Sequence, residues 1–366
     1  MSPSSPLIAI TGINGFIATE VVLLFLSHEW HVRGSVRTST QAEKLKSLPA
    51  YEKYFASGKL EVVVVEDLAK ADFSELLEGA DAVASVAAPL PKMDNPSLEW
   101  DKDFKGPTID PVLRILEYAK KSTTIKSVAV MSSSGSCFTL TPPPGKVYTE
   151  ADWTPYTEEL CQSITPATRV ASNPATPIIW YFTAKKLAEQ AVLKFQETEK
   201  PAFSIATFAP SMVYGPPRFI SSIDDARKGV QGSSDEVLSL FVGKDQPLPH
   251  QFARAYADVR DVADAFYAAI TKNVSGKFLL SGHEYKWQAF ADKLREIRPD
   301  LDAYIPLGTP GQYIPDEYFA DASKSQRELG IKYRTTEETL KDTIDFYENL
   351  GLFKEAPLGP KKKAFI

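Results

Sequence analysis

The sequence predicts an α/β protein built on a doubly wound parallel sheet, with a smaller, mostly C-terminal second region. Short apolar or β-branched runs alternate with helix-like stretches over the first 215 residues, and a glycine-rich turn at residues 11–18 joins the first run to the first helix. Beyond Gly215 this alternation ends, and helical stretches lie among loops rich in proline, glycine and aspartate. Alternating strands and helices pack as a parallel sheet with right-handed crossovers.

Each predicted element follows from its local pattern. Strands are predicted from short runs that are apolar on both faces or rich in β-branched residues, at 7–10, 60–65, 82–87, 127–132 and 203–208. Residues 31–36 are a further predicted strand. Helical spacing of apolar residues predicts helices at 16–27, 41–48, 107–121, 181–199, 258–272, 285–297 and 336–349. Seven prolines between residues 141 and 177 interrupt any long regular element, which predicts a loop with one short helix.

Composition narrows the class of protein. The chain has 366 residues, 43% hydrophobic and 24% charged, so it can bury a core. Its net charge of −6 provides no basic field to hold nucleic acid. The two cysteines, Cys137 and Cys161, cannot build a disulfide framework and fit a cytoplasmic location. We find no signal-peptide pattern, no membrane-length apolar run and no metal-ligand spacing. We therefore expect that the protein neither associates with a membrane nor binds a metal ion.

The turn at residues 11–18 directly follows the first predicted strand and opens the first predicted helix. Gly12 permits the tight turn, and Gly15 lets the backbone approach a pyrophosphate on the helix N-terminus. Ala18 stands where a third glycine often lies and still allows the helix to pack closely on the strand. Loops use glycine for turns anyway, but this position at the start of a β-α series favours dinucleotide binding.

The end of the second predicted strand indicates which dinucleotide is bound. An acid there bonds the 2′-hydroxyl of NAD, whereas an arginine accepts the 2′-phosphate of NADP. This chain has Arg37 at that place, followed by Thr38 and Ser39, with no acid before Glu43. Taken alone, Arg37 is a solvated charge after a strand. Together with the glycine-rich turn, it predicts NADP.

Ser133, Tyr181 and Lys185 form a candidate catalytic group. Tyr181 and Lys185 are four residues apart and therefore share one helix face. A nearby ammonium favours the phenolate and lowers the pKa of a tyrosine. Ser133 follows the fifth predicted strand, at the edge where open α/β sheets bind ligands, so its hydroxyl can bond a substrate carbonyl. The Tyr-x-x-x-Lys spacing alone is a weak signal, and its place after the turn and the serines strengthens it.

These motifs resemble those of the extended short-chain dehydrogenases/reductases, which have a Rossmann-type fold. Within that superfamily the chain is most similar to the dihydroflavonol 4-reductase-like group, particularly its fungal and yeast NADPH-dependent carbonyl (aldehyde and ketone) reductases. The matching segments are residues 11–18, 36–37, 66–68, 86–89, 132–133, 181–185, 210–216 and 258–263, with a C-terminal pattern at 323–330 and 335–343. Two departures are residues 109–114, where relatives often have Gly-Thr-x-x-Asn, and Gln41, where some fungal relatives have lysine.

The resemblance implies a role for each candidate residue. Tyr181 is expected to give a proton to the carbonyl oxygen, and Lys185 to bond the nicotinamide ribose and tune Tyr181. Ser133, rather than its neighbours Ser132 and Ser134, is expected to orient the carbonyl. The cofactor-binding residues that the resemblance implies are Thr11, Gly12, Asn14, Gly15, Phe16, Ile17, Arg37, Asp67, Leu68, Ala87, Pro89, Tyr181, Lys185, Pro210 and Val213.

The predicted function is the NADPH-dependent reduction of a ketone or aldehyde to an alcohol by hydride transfer. Apolar and aromatic residues after several strands predict bulky, uncharged carbonyl substrates, namely Leu90, Met93, Phe138, Tyr214 and Phe219, with Arg218 as the one obvious cation. Two alternatives stay open. A nucleotide-sugar epimerase or dehydratase of the same superfamily usually retains NAD, which favours an acid where Arg37 stands. A non-catalytic dinucleotide-sensing protein can lose the Tyr–Lys pair, so the presence of Ser133, Tyr181 and Lys185 argues against this alternative.

The predicted organisation has two regions. Residues 6–215 and 252–282 are expected to form the dinucleotide-binding Rossmann domain, and residues 216–251 and 283–366 the substrate-binding region. The expected partner is a small hydrophobic carbonyl compound, and the sequence does not specify an oligomeric state.

Overall fold

The computed structural model describes residues 5–88, 95, 97–164, 175–227, 233–315, 317–354 and 356–359. Its strands are β1 Leu7–Ile10, β2 His31–Val36, β3 Leu60–Val64, β4 Ala82–Ser85, β5 Ser127–Met131, β6 Lys146–Tyr148, β7 Ser204–Pro210, β8 Met212–Tyr214, β9 Ala255–Asp258, β10 Gly276–Leu280, β11 His283–Glu284 and β12 Tyr318–Ala320. Its α-helices are α1 Phe16–Ser27, α2 Ser39–Lys46, α3 Glu52–Ala56, α4 Ser74–Leu77, α5 Gly106–Lys121, α6 Glu158–Ser163, α7 Ala175–Glu199, α8 Ile223–Arg227, α9 Ser234–Leu238, α10 Val259–Lys272, α11 Trp287–Ile297 and α12 Thr336–Asn349. A 3₁₀ turn, Ser134–Ser136, follows β5.

The main sheet of the described part of the chain has seven strands in the order β10-β7-β5-β4-β1-β2-β3, and every pairing in it is parallel. The chain runs outward from β1 to β3 and then returns to β4 on the other side of β1. This reversal makes a crevice at the carboxyl ends of β1 and β4, where open α/β sheets bind ligands. The predicted doubly wound α/β fold is therefore confirmed.

Helices cover both faces of this sheet. On one face, residues of α1 and α10, such as Phe25 and Phe266, pack with Ile8 of β1 in one apolar cluster. On the other face, Leu116 of α5 and Val192 of α7 pack in a second cluster. Because both faces are covered, the strands are buried on both sides, and polar side chains at the carboxyl edge are the ones free to meet a ligand.

β10 is a strand that the sequence pattern did not predict. It pairs with β7 and lies at the edge of the main sheet, directly after α10. Strand-helix alternation therefore continues beyond Gly215, contrary to the prediction. The sequence pattern did not indicate β10 because the strand begins with Gly276 and Lys277. A lysine is rarely buried in a sheet strand, as Lys277 is here.

α7 begins at Ala175, earlier than the predicted start at residue 181. Pro177 lies in its first turn, where the missing N–H has no intrahelical partner to lose. Tyr181 consequently lies in the second turn of α7 and does not open the helix.

The C-terminal part of the chain packs around a second small sheet of β11, β9 and β8, in which β9 pairs with the other two strands. Its apolar cluster includes Tyr256, Phe290 and Ile344 from β9, α11 and α12. β8 follows β7 after a single residue, Ser211, so this cluster begins at the carboxyl edge of the main sheet. The predicted boundaries between the two regions stay a prediction. Among the described helices, none combines the length and apolarity needed to cross a bilayer.

Candidate active site

The glycine-rich turn is tied to the end of β4. Gly12 has a φ of +71°, and an added Cβ would lie 2.7 Å from the Cβ of Ala87, so no other residue fits there. The Thr11 hydroxyl oxygen accepts hydrogen bonds from the amides of Val86 and Ala87, both at 3.0 Å. The structure therefore brings together Thr11, Gly12 and Ala87, three of the residues predicted to bind the cofactor.

The start of α1 fits the pyrophosphate of a dinucleotide. Gly15 is the extended N-cap residue, and the amides of Phe16 and Ile17 open the helix, where the first N–H groups have no intrahelical acceptor. A Cβ added to Gly15 would meet one described atom within 4 Å, the Gly12 carbonyl oxygen at 3.3 Å. An anion can approach this turn closely, and the helix dipole favours it. Asn14 lies within the same turn.

An arginine follows β2, and it forms no ion pair with an acid among the residues that the structure describes. Arg37 follows β2 and is exposed. Its backbone amide donates to Gln41, and its guanidinium makes no hydrogen bond to any residue that the structure describes. Lys44, the nearest other base, pairs with Asp225 at 3.5 Å. The Arg37 guanidinium is therefore free to donate hydrogen bonds to a phosphate.

The remaining candidates for cofactor contact lie at the same edge or outside the described residues. Asp67 follows β3 and accepts a hydrogen bond from the Ala69 amide at 2.9 Å, and Leu68 packs against the apolar cluster beside it. Pro210 ends β7, and Val213 lies in β8. Pro89 falls outside the described residues.

Ser133, Tyr181 and Lys185 meet at the end of β5. Ser133 caps the 3₁₀ turn, and its Oγ accepts a hydrogen bond from the Gly135 amide at 3.1 Å. Gly135 has no side chain because a Cβ would lie 2.6 Å from the ring of Phe182 on α7. The Ser133 side chain lies close enough to Tyr181 to affect the pKa of its hydroxyl. The Lys185 ammonium lies 5.6 Å from the centroid of the Tyr181 ring.

Burial shifts the pKa values of both Tyr181 and Lys185. Burial raises the pKa of Tyr181, and the hydrogen bond with Ser133 opposes that rise. Burial also lowers the pKa of Lys185 to about 8, against the opposing effect of Glu189. The predicted lowering of the Tyr181 pKa by Lys185 is therefore wrong in this structure, because desolvation dominates. A tyrosine that keeps its proton at neutral pH is suited to donate it.

The residues predicted to line the substrate pocket lie in different parts of the structure. Phe138 packs with Tyr148 and Tyr318 in an aromatic cluster against which Tyr181 also lies. Tyr214 is fully buried in the C-terminal core and donates to Glu236, so its predicted place in a pocket lining is wrong.

Two further substrate-side predictions concern the loop after β8. Phe219 packs on Phe16 at the start of α1, with ring centroids 5.8 Å apart. Arg218 pairs with the buried Glu20 at 3.3 Å. Leu90 and Met93 lie outside the described residues.

A parallel sheet with a glycine-rich turn after β1 and a Ser-Tyr-Lys group after β5 defines a Rossmann-type dinucleotide-binding protein. The chain belongs to the NAD dependent epimerase/dehydratase family, whose family model matches residues 8–280. The predicted membership of the extended short-chain dehydrogenases/reductases is confirmed.

Similar proteins cover nearly the whole chain. The NADPH-dependent methylglyoxal reductase GRE2 of Saccharomyces cerevisiae is 30% identical over 351 residues, which are 91% of this chain and 96% of that protein. The ketoreductase sphI of Aspergillus fumigatus is 28% identical over 93% of this chain and 97% of its own length. The crystal structure of the yeast methylglyoxal/isovaleraldehyde reductase Gre2 complexed with NADPH matches with a TM-score of 0.79 and 28% identity, over 94% of this chain and 99% of that chain.

Proposed function

We propose that this protein is an NADPH-dependent reductase that converts a ketone or aldehyde to an alcohol. The observation that carries the proposal is the grouping of Ser133, Tyr181 and Lys185 at the sheet edge, beside a turn that fits a dinucleotide. The reductase names of the relatives, which this chain matches over nearly its full length, support the same activity.

The chain's own residues supply the acid and the orientation for this reaction. When bound, the reduced nicotinamide supplies the hydride. The Ser133 hydroxyl orients the substrate carbonyl by a hydrogen bond to its oxygen, and the Tyr181 hydroxyl donates the proton that the same oxygen takes up. The Lys185 ammonium stabilises the negative charge that Tyr181 carries after it has given its proton, and it would bond the ribose of a bound cofactor. The proposed cofactor contacts are those predicted at the glycine-rich turn and at the strand ends.

NADPH should be preferred over NADH, and Arg37→Glu should remove that preference. The Arg37 guanidinium is free to bond the 2′-phosphate, and a carboxylate there would repel it. We expect kcat/KM for NADPH to fall by about 100-fold, the effect of one charge-assisted bidentate contact. The measurement is kcat/KM for NADPH and NADH in both proteins.

Lys44→Glu is the matched control for this charge reversal. Lys44 is exposed and already paired with Asp225, so its replacement should leave the cofactor preference unchanged. Equal kcat/KM for the two cofactors in the unmutated protein would contradict the assignment of Arg37.

Neutral, hydrophobic carbonyl compounds should be better substrates than charged ones. Phe138, Tyr148 and Tyr318 are buried in an aromatic cluster beside Tyr181, and such apolar surroundings do not compensate the desolvation of a carboxylate or phosphate. The test compares rates of NADPH oxidation with aldehydes, ketones, diketones and nucleotide sugars. Turnover of a nucleotide sugar, with no reduction of any neutral carbonyl, would favour the epimerase alternative.

We also propose a cytoplasmic location, because Cys137 and Cys161 are both free thiols. Cell fractionation tests this proposal.

A further inference from the structure

Glu189 is a buried carboxylate one helical turn beyond Lys185 on α7, and 2% of it is exposed. Three hydroxyl groups donate to it. Ser132 and Ser136 donate to Oε2 at 3.2 and 2.7 Å, and Thr207 of β7 donates to Oε1 at 2.6 Å. Both carboxylate oxygens are therefore used as acceptors, which is the arrangement of an ionised carboxylate.

Lys277 of β10 completes the charge balance around this carboxylate. Its ammonium lies 3.7 Å from Glu189 Oε2, and its side chain is 7% exposed. The same ammonium donates to the Asp152 carbonyl oxygen at 3.1 Å and lies 3.5 Å from the centroid of the Trp153 ring. Glu189 thus joins α7 to the end of β5, to β7 and to β10.

The two serines that bond Glu189 flank Ser133. Ser132 precedes it and Ser136 ends the 3₁₀ turn that Ser133 caps. With both ends of this segment held by one carboxylate, the Ser133 hydroxyl is fixed beside Tyr181. A glutamine at position 189 has one acceptor oxygen where the glutamate has two, so it cannot accept from all three hydroxyls in the same way.

Glu189 also acts on Lys185 through its charge. Burial lowers the pKa of Lys185 to about 8, and the Glu189 charge opposes this effect. The other described titratable groups near this pair are Tyr181 on α7, Cys137 after the 3₁₀ turn and Lys277 on β10.

We propose that Glu189 is a positioning residue for the reduction, acting through the Ser132–Ser136 segment on Ser133 and through its charge on Lys185. The proposal rests on the proposed reductase function. Glu189 does not touch the reacting carbonyl in this assignment. Its effect is to hold the serine and to keep the lysine protonated.

Glu189→Gln tests both parts of the proposal. We expect kcat to fall by about 10- to 100-fold because Ser133 is no longer held. We expect the alkaline decline of kcat/KM to move to lower pH by about one unit, because Lys185 loses the negative charge that favours its ammonium. The dissociation constant of NADPH, measured by fluorescence titration at pH 6, is a readout independent of turnover, and we expect it to change little. The melting temperature should fall, because Lys277 loses the carboxylate that balances its buried charge.

Two variants accompany this measurement. Glu20→Gln is the matched control, because Glu20 is a buried glutamate of α1 whose partner is Arg218, and it should leave the alkaline decline in place. Ser136→Ala keeps the charge of Glu189 and removes one hydroxyl donor, so kcat should fall without displacement of the alkaline decline.

The outcomes separate this inference from the proposed function. An unmutated protein that reduces no carbonyl compound would refute the proposed function itself. A measurable reductase whose alkaline decline is the same in Glu189→Gln as in the unmutated protein would refute the inference alone. If Glu189→Gln does not fold, normal kcat in Ser136→Ala would overturn the positioning role, and a reduced kcat would support it.

Discussion

Replacing Tyr181 with phenylalanine should lower kcat for carbonyl reduction by about 10³-fold and leave the affinity for NADPH nearly unchanged. The substitution removes one hydroxyl and keeps the ring that packs on the aromatic cluster beside it. Burial raises the pKa of Tyr181, so the hydroxyl next to Ser133 holds its proton at neutral pH. Without that hydroxyl, the developing alkoxide loses its proton donor, whereas the glycine-rich turn that binds the cofactor is untouched.

The measurements are the rate of NADPH oxidation with a good carbonyl substrate and the dissociation constant of NADPH. Tyr267→Phe is the matched control, because Tyr267 lies on α10 and stacks on His28 on the opposite face of the sheet. It should retain the unmutated turnover. Near-normal turnover in Tyr181→Phe would show that a different group donates the proton.

The fold could be predicted wherever a strand is a plain apolar or β-branched run. β1 and β3 are such runs, and both pair with β2, which lies between them in the sheet. β10 could not be predicted in this way, because its Lys277 is buried through an ion pair with Glu189, which lies on another element. Sequence periodicity detects local burial patterns and does not detect the distant partner that makes a buried charge tolerable.

The candidate site also has features that the sequence could predict and features that it could not. The spacing of Tyr181 and Lys185 is local, so the sequence could indicate that they share a helix face. The direction of the Tyr181 pKa could not be predicted, because it depends on how deeply the surrounding elements bury the ring. Tyr214 was predicted to line the pocket because it follows a predicted strand. The C-terminal core buries it completely, and that depends on distant elements.

The position of Glu189 in the sequence indicates that it shares a helix face with the catalytic candidates. It follows Lys185 by four residues, as Lys185 follows Tyr181, so the three side chains recur on one face of α7. The sequence could not show that the face turns toward Ser132, Ser136 and Thr207, because these partners come from the residue after β5, the 3₁₀ turn and β7.

Lys185→Met should impair both catalysis and cofactor binding, which distinguishes it from Tyr181→Phe. Lys185 is 4% exposed, and methionine keeps most of its volume while removing the ammonium. We expect kcat to fall by about 100-fold, because Tyr181 loses the cation that stabilises its phenolate. We expect the dissociation constant of NADPH to rise about tenfold with the loss of a charge-assisted bond to the ribose.

The pH dependence of Lys185→Met identifies the ammonium as the active form. Burial lowers the pKa of Lys185 to about 8, so kcat/KM of the unmutated protein should decline as pH rises through that value, and the decline should be absent in the variant. Lys194→Met, on an exposed position of the same helix, should keep both the decline and the affinity for NADPH. Removing a buried ammonium should not lower the melting temperature greatly, because burying the charge is itself unfavourable. An unchanged dissociation constant together with an unchanged alkaline decline would refute the assignment, and a large drop in melting temperature would show that Lys185 acts in the fold.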